Sequence, residues 1–347
     1  MIPPPKILVI GSPSGLVSDD TWTNFTTRFN VQMYNFPTKK GFHESLQSGS
    51  CSNVAGIVRL GLNIPQDCEK VMLGWTHRGL KHFPPSLKVI VNFGHGYSDE
   101  AVEELKERGI AFFNTTGGSD ATAALGMHLI IAAFRQLSRY ERMLRDDQFL
   151  SALRNSAKTA VDPFGKKIGI IGMGSIGQAV AKLAAALGMK IHCIDRPNLR
   201  KIIKRPNNEQ HPSTGLPPIT LHHDLSDLVK IVDCVLLSCP YSASTHHILS
   251  KEVFAEMKRD VRIINIARGL CIDEEALCDA IESGVVGGAG LDVHHDEPIV
   301  NPRLLKYDCV TLLPHVGGLT VDAMKNHAEM ALSHVTNFFS GTSQNYI

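Results

Sequence analysis

Lys167-Ile168-Gly169-Ile170-Ile171-Gly172-Met173-Gly174-Ser175-Ile176-Gly177 is the stretch that decides how this chain folds. Ile168, Ile170 and Ile171 form an apolar run that reads as a buried strand, and the segment from Gln178 to Leu187 reads as a helix. Between them stand the glycines at 172, 174 and 177. The first allows a tight turn, the second lets a pyrophosphate approach the backbone, and the third lets the helix pack closely on the strand. Free amides and the positive helix end, at Ser175 and Ile176, then face the phosphates. Glycine turns are common, so the context carries the inference. Gly188 stops the helix, and a second strand, Lys190 to Ile194, ends in Asp195, an acidic residue at the spacing a dinucleotide ribose needs.

The chain has 347 residues, enough for two domains with proper cores, and its 43% hydrophobic and 20% charged residues are those of a globular protein. A formal net charge of +1 argues against a surface devoted to nucleic acid and implies no membrane partner. The start, Met1 to Lys6, runs straight into a strand-like Ile7 to Ile10 without a signal-peptide pattern, and the final Asn345-Tyr346-Ile347 is no peroxisomal tripeptide. The eight cysteines are scattered and include no CxxC pair, which suits reduced thiols in the cytoplasm.

Strands and helices alternate on both sides of the glycine turn. Lys6 to Ile10, Val54 to Arg59, Leu87 to Asn92 and Ile110 to Asn114 read as strands before it. Between the last two, Ser98 is a candidate cap for a helix that carries Asp99 and Glu100 in its first turn, Arg108 in its last and Gly109 as its stop. Asp120 is a candidate cap for a longer helix through Leu125, Leu129, Ala133 and Leu137; its apolar residues exceed one face, which suggests burial between domains or subunits. Arg196 to Pro218 reads as a polar surface loop. Ile219 to Leu221, Asp233 to Ser238, Val261 to Ala267, Gly287 to Val293 and Cys309 to Leu313 read as further strands. With Lys167 to Ile171 and Lys190 to Ile194 they make about seven, the size of a dinucleotide-binding sheet with an added strand. Thr320 can cap a last helix, Val321 to Phe339.

In open α/β sheets, ligands bind beyond the carboxyl ends of the strands. Arg268 follows Ile263 to Ala267, Glu297 follows Leu291-Asp292-Val293-His294-His295-Asp296, and His315 follows Leu312-Leu313-Pro314. Each alone could be a surface or capping residue; together, after the glycine turn, they suit one reaction.

These blocks carry a resemblance. Lys167 to Asp195, Leu237-Ser238-Cys239-Pro240 with Thr245 to Leu249, Asn265 to Gly269, Gly288 to Pro298 and Leu313 to Gly318 resemble, in order and spacing, the D-isomer-specific 2-hydroxyacid dehydrogenases, which include glyoxylate/hydroxypyruvate enzymes. The resemblance covers nearly the whole chain. It implies an α/β fold of two Rossmann-like domains with parallel sheets and a cleft between them, the substrate-binding (catalytic) domain being discontinuous, 1–119 and 319–347, and the NAD(P)-binding domain 120–318. It places the catalytic arginine, glutamate and histidine on Arg268, Glu297 and His315, and the physical roles agree with that assignment: a guanidinium can bridge the carboxylate and carbonyl of a 2-oxoacid, an imidazolium can protonate the alkoxide that hydride transfer leaves, and a paired carboxylate would favour that charged form. Cofactor positions fall on the glycine turn, on Asp195 and Arg196, on Cys239, Pro240 and Thr245, and on Ala267, Asp292, His315 and Gly317. Asp292 would accept a hydrogen bond from the nicotinamide carboxamide. The loop Asn92 to Tyr97 resembles one whose backbone binds the substrate carboxylate, which nominates Gly94, His95 and Gly96 beside Arg59 and Arg268.

Some features depart from the family pattern. Ser98-Asp99-Glu100-Ala101 stands where Asp-Asn-Ile-Asp is frequent, His95 where a small apolar residue is common, and Phe149 near a frequent tryptophan. Asp195 favours NAD by repelling a 2'-phosphate, while Arg196, with Arg200, Lys201, Lys204 and Arg205 after it, keeps NADP open. The doublets His222-His223, His246-His247 and His294-His295 invite a metal reading, but adjacent residues rarely share one ion and the hydride chemistry needs none. The expectation is therefore a cytoplasmic, homodimeric reductase of small 2-oxoacids, without metal. The alternative is an NAD(H)-responsive corepressor-like scaffold of the same superfamily.

Overall fold

A computed structural model describes residues 3–34, 41, 44–45, 48–49, 51–61, 83–94, 96, 99–196 and 215–342. The chain divides into two compact units, one of Met1–Gly118 with Gly318–Ile347, the other of Ser119–Gly317. Each is built on one wholly parallel sheet, as alternating strands and helices dictate.

The first unit holds β1 (Lys6–Ile10), β2 (Asn30–Tyr34), β3 (Val54–Arg59), β4 (Val89–Val91) and β5 (Ala111–Phe113) in the order β2-β1-β3-β4-β5. Apolar residues fill both faces because both are covered. Ile7, Val9, Val58 and Val91 pack with α10 (Val321–Phe339), whereas Leu8, Ile10, Ile57 and Ile90 pack with Val102 and Leu105 of α2 (Asp99–Glu107). Thr320 caps α10 by accepting the Ala323 amide at 3.0 Å. Two elements of this unit are illegible by pattern: β2, an edge strand in which polar Asn30 and Gln32 interleave with Val31 and Met33, and α1 (Asp19–Arg28), whose Ser18 cap precedes a polar segment with Phe25 alone buried.

The second unit carries β6 (Lys167–Ile171), β7 (Lys190–Ile194), β8 (Ile219–His222), β9 (Cys234–Leu237), β10 (Val261–Asn265), β11 (Val286–Leu291) and β12 (Val310–Leu312). Their order, β8-β7-β6-β9-β10-β11-β12, reverses direction between β6 and β9. That is the doubly wound dinucleotide order with one strand added, and its switch point is where a crevice opens.

Asp120 lies inside the first turn of α3 (Ser119–Arg135) and is not its cap. The long helix also stops earlier than its apolar pattern suggests: Gln136, at φ +52°, separates α3 from α4 (Leu137–Arg145), and α5 (Phe149–Thr159) follows. The excess of apolar residues on α3 has a cause within its own unit. It packs on β10 and β11 and on α6 (Ser175–Ala186), with Gly126 letting Ile266 and Val180 approach. Its last turn is held by Arg262, 1% exposed, whose Nε donates to the Ala133 carbonyl at 3.1 Å. α7 (Leu225–Val229), α8 (Lys251–Glu256) and α9 (Glu274–Glu282) complete the unit. Among the described residues no helix is long and apolar enough to cross a membrane.

Candidate active site

The glycine turn follows β6 at the switch point. Gly172 has φ +101°, and a Cβ there would lie 2.4 Å from the Cys239 amide nitrogen, so the first glycine is required by both its dihedral and the neighbouring chain. A Cβ on Gly177 would lie 2.1 Å from the Gly172 carbonyl oxygen; α6 crosses β6 too closely for any side chain. Gly174 has open space where its Cβ would be, and as N-cap of α6 it brings no side-chain hydrogen bond. The amides of Ser175, Ile176 and Gly177 thus begin a helix whose cap leaves them to another acceptor. Ser238 donates to the Gly172 carbonyl at 2.6 Å and ties the end of β9 to the turn. Asp195 follows β7, half-buried, its amide bonded to the His222 carbonyl at 2.7 Å, and Arg196 beside it is exposed. These features suit a dinucleotide: a glycine cradle and helix amides for its phosphates, a carboxylate for its ribose.

Past β9, Cys239 is buried, and contact with Cys271 together with burial pushes its thiol above the usual range. Pro240 is exposed, and Thr245 folds the following turn by donating to the Pro240 carbonyl and accepting the Ser242 amide, at 2.8 and 2.7 Å.

Three strand ends supply the titratable groups. After β10, Asn265 braces the turn: its Oδ1 accepts the Ala267 amide at 3.0 Å and its Nδ2 donates to the Arg268 carbonyl at 2.9 Å. Arg268 donates to the Ala267 carbonyl at 2.6 Å. Burial opposes the guanidinium's charge and lowers its pKa, while the Glu297 carboxylate acts in the other direction. After β11, Asp292 is 2% exposed and takes the amides of Val316 and Gly317, one on each oxygen at 2.8 Å, while its carbonyl accepts the His315 amide at 2.7 Å. Burial raises its carboxyl above the ordinary value, opposed by those two amides. This staple holds His315 at φ +57°, a left-handed conformation that a residue with a side chain seldom adopts. His315 Nδ1 lies 2.8 Å from Glu297 Oε2 and 3.1 Å from Oε1. Burial pushes the Glu297 carboxyl up, but the hydrogen bond and charge of His315 outweigh it, and the net shift is downward.

The structure therefore brings Arg268, Glu297 and His315 to the same edge of one sheet. Arg59, Gly94 and Gly96 belong to the other unit: Arg59 ends β3, and the glycines follow β4. There the Gly94 amide donates to Thr115 Oγ1 at 2.8 Å, so it is already committed within its unit. The Gly96 carbonyl accepts Asn92 Nδ2 at 3.0 Å. His95 lies outside the described residues, as do Ser98 and the basic cluster from Arg200 to Arg205. Sequence reasoning missed Ser238, Asn265 and His294, whose role is to hold backbone; their signal is a polar residue at the end of an apolar strand. Among the described residues, one group, the exposed His223, Asp224 and Asp227, brings potential metal-ligand atoms together, and there Asp224 caps α7 through the Asp227 amide.

Fold and site together define a nicotinamide-dependent oxidoreductase of the doubly wound class. A family model described as "D-isomer specific 2-hydroxyacid dehydrogenase, NAD binding domain" matches residues 127–317. The chain is 34% identical over 261 residues to a glyoxylate reductase of Pyrococcus horikoshii, covering 74% of this chain and 75% of that one. It is 31% identical over 336 residues to 4-methyl-2-oxopentanoate reductase A of Aspergillus oryzae, covering 95% and 94%. The holo D-mandelate dehydrogenase of Rhodotorula graminis superposes with a TM-score of 0.85 at 32% identity, covering 97% of this chain and 95% of that one. The chain belongs to the D-isomer-specific 2-hydroxyacid dehydrogenase family.

Proposed function

We propose that this protein reduces a small 2-oxoacid, of the glyoxylate or hydroxypyruvate type, to the corresponding D-2-hydroxyacid. The observation that carries the proposal is the His315–Glu297 pair, 2.8 Å apart, beside Arg268 at the strand ends of a sheet that also bears the glycine cradle. NAD(P)H, when bound, supplies the hydride. Gly172, Gly174 and the amides of Ser175 to Gly177 would hold its phosphates, and Asp195 its ribose, with NAD preferred over NADP because of that carboxylate. Arg268 orients the substrate carboxylate and polarises the C2 oxygen. His315 gives its proton to that oxygen as C2 becomes tetrahedral, and ends neutral. Glu297 accepts a hydrogen bond from the ring at Nδ1 and fixes its orientation. Gly96, His95 and Arg59 are proposed for the substrate's carboxylate end, with Gly94 shaping the loop and its amide held by Thr115.

A second reading of the substrate, a branched or aromatic 2-oxoacid, is favoured by full-length similarity to proteins named for 4-methyl-2-oxopentanoate and D-mandelate. The scaffold alternative is not favoured by relatives named as reductases and dehydrogenases. We place the protein in the cytoplasm, where its free thiols remain reduced, and propose a homodimer: Leu144, Phe149, Leu150 and Leu153 on α4 and α5 are 54 to 62% exposed, an apolar surface that suits a second copy. Steady-state oxidation of NADH and NADPH with glyoxylate, hydroxypyruvate, pyruvate, 4-methyl-2-oxopentanoate and phosphohydroxypyruvate tests the activity, and light scattering tests the dimer. Absence of turnover with every 2-oxoacid would refute the activity.

A further inference from the structure

His294 stands at the junction of the three strand-end segments, and no step described above uses it. It is 5% exposed. Its backbone amide donates to Glu297 Oε1 at 3.0 Å, the same oxygen that lies 3.1 Å from His315 Nδ1. Its ring Nε2 lies 2.9 Å from the carbonyl oxygen of Leu313, two residues before His315. A carbonyl only accepts, so Nε2 carries the hydrogen. On a third side its backbone carbonyl packs against the glycine that follows Arg268: a Cβ on Gly269 would lie 2.0 Å from both the carbon and the oxygen of that carbonyl.

The other ring nitrogen is informative too. Nδ1 is buried and has no hydrogen-bond partner among the described residues. A buried acceptor without a donor is unfavourable, a cost that a phenyl ring filling the same volume would not incur. The Nε2 hydrogen bond is the feature of the imidazole that a phenyl ring lacks.

We infer that His294 is a positioning residue that holds Glu297 and His315 in register with each other and with the Arg268 turn. This rests on the catalytic roles proposed above for those three residues. One residue fixes the Glu297 carboxylate through its main chain and the approach to His315 through its side chain. Freeing the Leu313 carbonyl lets the Pro314-His315 segment shift relative to Glu297, and a small misplacement of a proton donor is expensive in rate.

The test compares His294→Phe, His294→Gln and His294→Asn in the full chain. Glutamine can place a donor where Nε2 stands; asparagine places its donor near Nδ1, away from Leu313. His294→Phe and His294→Asn should lower kcat for 2-oxoacid reduction about tenfold, the factor expected for loss of one buried hydrogen bond. NADH affinity, read by fluorescence titration, should stay within about twofold of wild type. His294→Gln should restore most of kcat. Wild-type kcat in both His294→Phe and His294→Asn overturns the inference, as does a glutamine variant as slow as phenylalanine. If His294→Phe does not fold, the Gln and Asn pair still decides. His315→Ala, run in parallel, separates the two levels: full turnover there refutes the catalytic assignment itself, whatever the His294 variants do.

Discussion

Nδ1 of His315 and Oε2 of Glu297 are 2.8 Å apart, both partly buried, with 23% and 29% of their side chains exposed. The pair lowers the Glu297 pKa although burial acts to raise it, so the carboxylate persists through the neutral range and is lost only as pH falls below the ordinary glutamate value of about 4.3. In Glu297→Gln the His315 ring loses the carboxylate that fixes it, and kcat for reduction should fall by at least about a hundredfold. Steady-state kinetics of both proteins measure this; an undiminished kcat would separate the pair from the chemistry.

Arg268 is anchored by Asn265 and by the Ala267 carbonyl, not by the glycine turn. Arg268→Ala should therefore depress kcat/KM for 2-oxoacids by about a hundredfold to a thousandfold, with NADH affinity nearly unchanged. Loss of cofactor binding with undiminished turnover would contradict the proposed role.

Gly177 has no room for a methyl group, since its Cβ would meet the Gly172 carbonyl at 2.1 Å. Gly177→Ala must push α6 off β6 and spoil the phosphate cradle. NADH should bind at least about tenfold more weakly, in calorimetry or fluorescence, with little change in far-UV circular dichroism. Unaltered affinity would show that the cradle tolerates the shift.

Among the described residues Arg262 is the largest side chain below 2% exposure, and it donates to the Ala133 carbonyl in the last turn of α3 as well as to Asp260. Arg262→Met keeps the stem and removes the donors, leaving the Ala133 carbonyl buried without its partner. Unfolding in urea should show a loss of about 1–3 kcal/mol. A change within about 0.5 kcal/mol would mean the helix end finds another donor.

His192 on β7 is 6% exposed, and its Nδ1 lies 2.9 Å from His222 Nε2. Burial, then the neighbouring His222, lowers its pKa to about 4. The unfolded chain binds this proton more readily than the folded one, so stability falls as pH drops from the ordinary histidine value toward about 4, by up to ~3 kcal/mol from this residue. His192→Asn does not titrate. Its thermal unfolding should depend less on pH between about 6.5 and 4 than that of wild type; equal slopes would assign the acid sensitivity elsewhere.

How much of this was legible in the sequence differs from element to element. The glycine turn, β6, β7 and the cap at Thr320 can be read directly, because each rests on local chemistry: a dihedral, a short apolar run, a hydroxyl before a helix. β2 cannot, since an edge strand needs few apolar residues. The break at Gln136, at φ +52°, is equally silent, because glutamine carries no helix-stopping signal. His294 was visible only as half of a histidine doublet that suggested metal.

The sequence by itself determined the parallel α/β architecture and nominated Arg268, Glu297 and His315, because strand-end positions and a glycine turn are encoded within a few residues. Only the tertiary structure decided which groups hold them. Asp292 grips the His315 loop from a neighbouring strand, Ser238 ties β9 to the glycine turn, and Thr115 occupies the Gly94 amide. Those contacts join residues far apart in the chain, and a hydrogen bond of that kind exists only once the sheet has set its strands side by side.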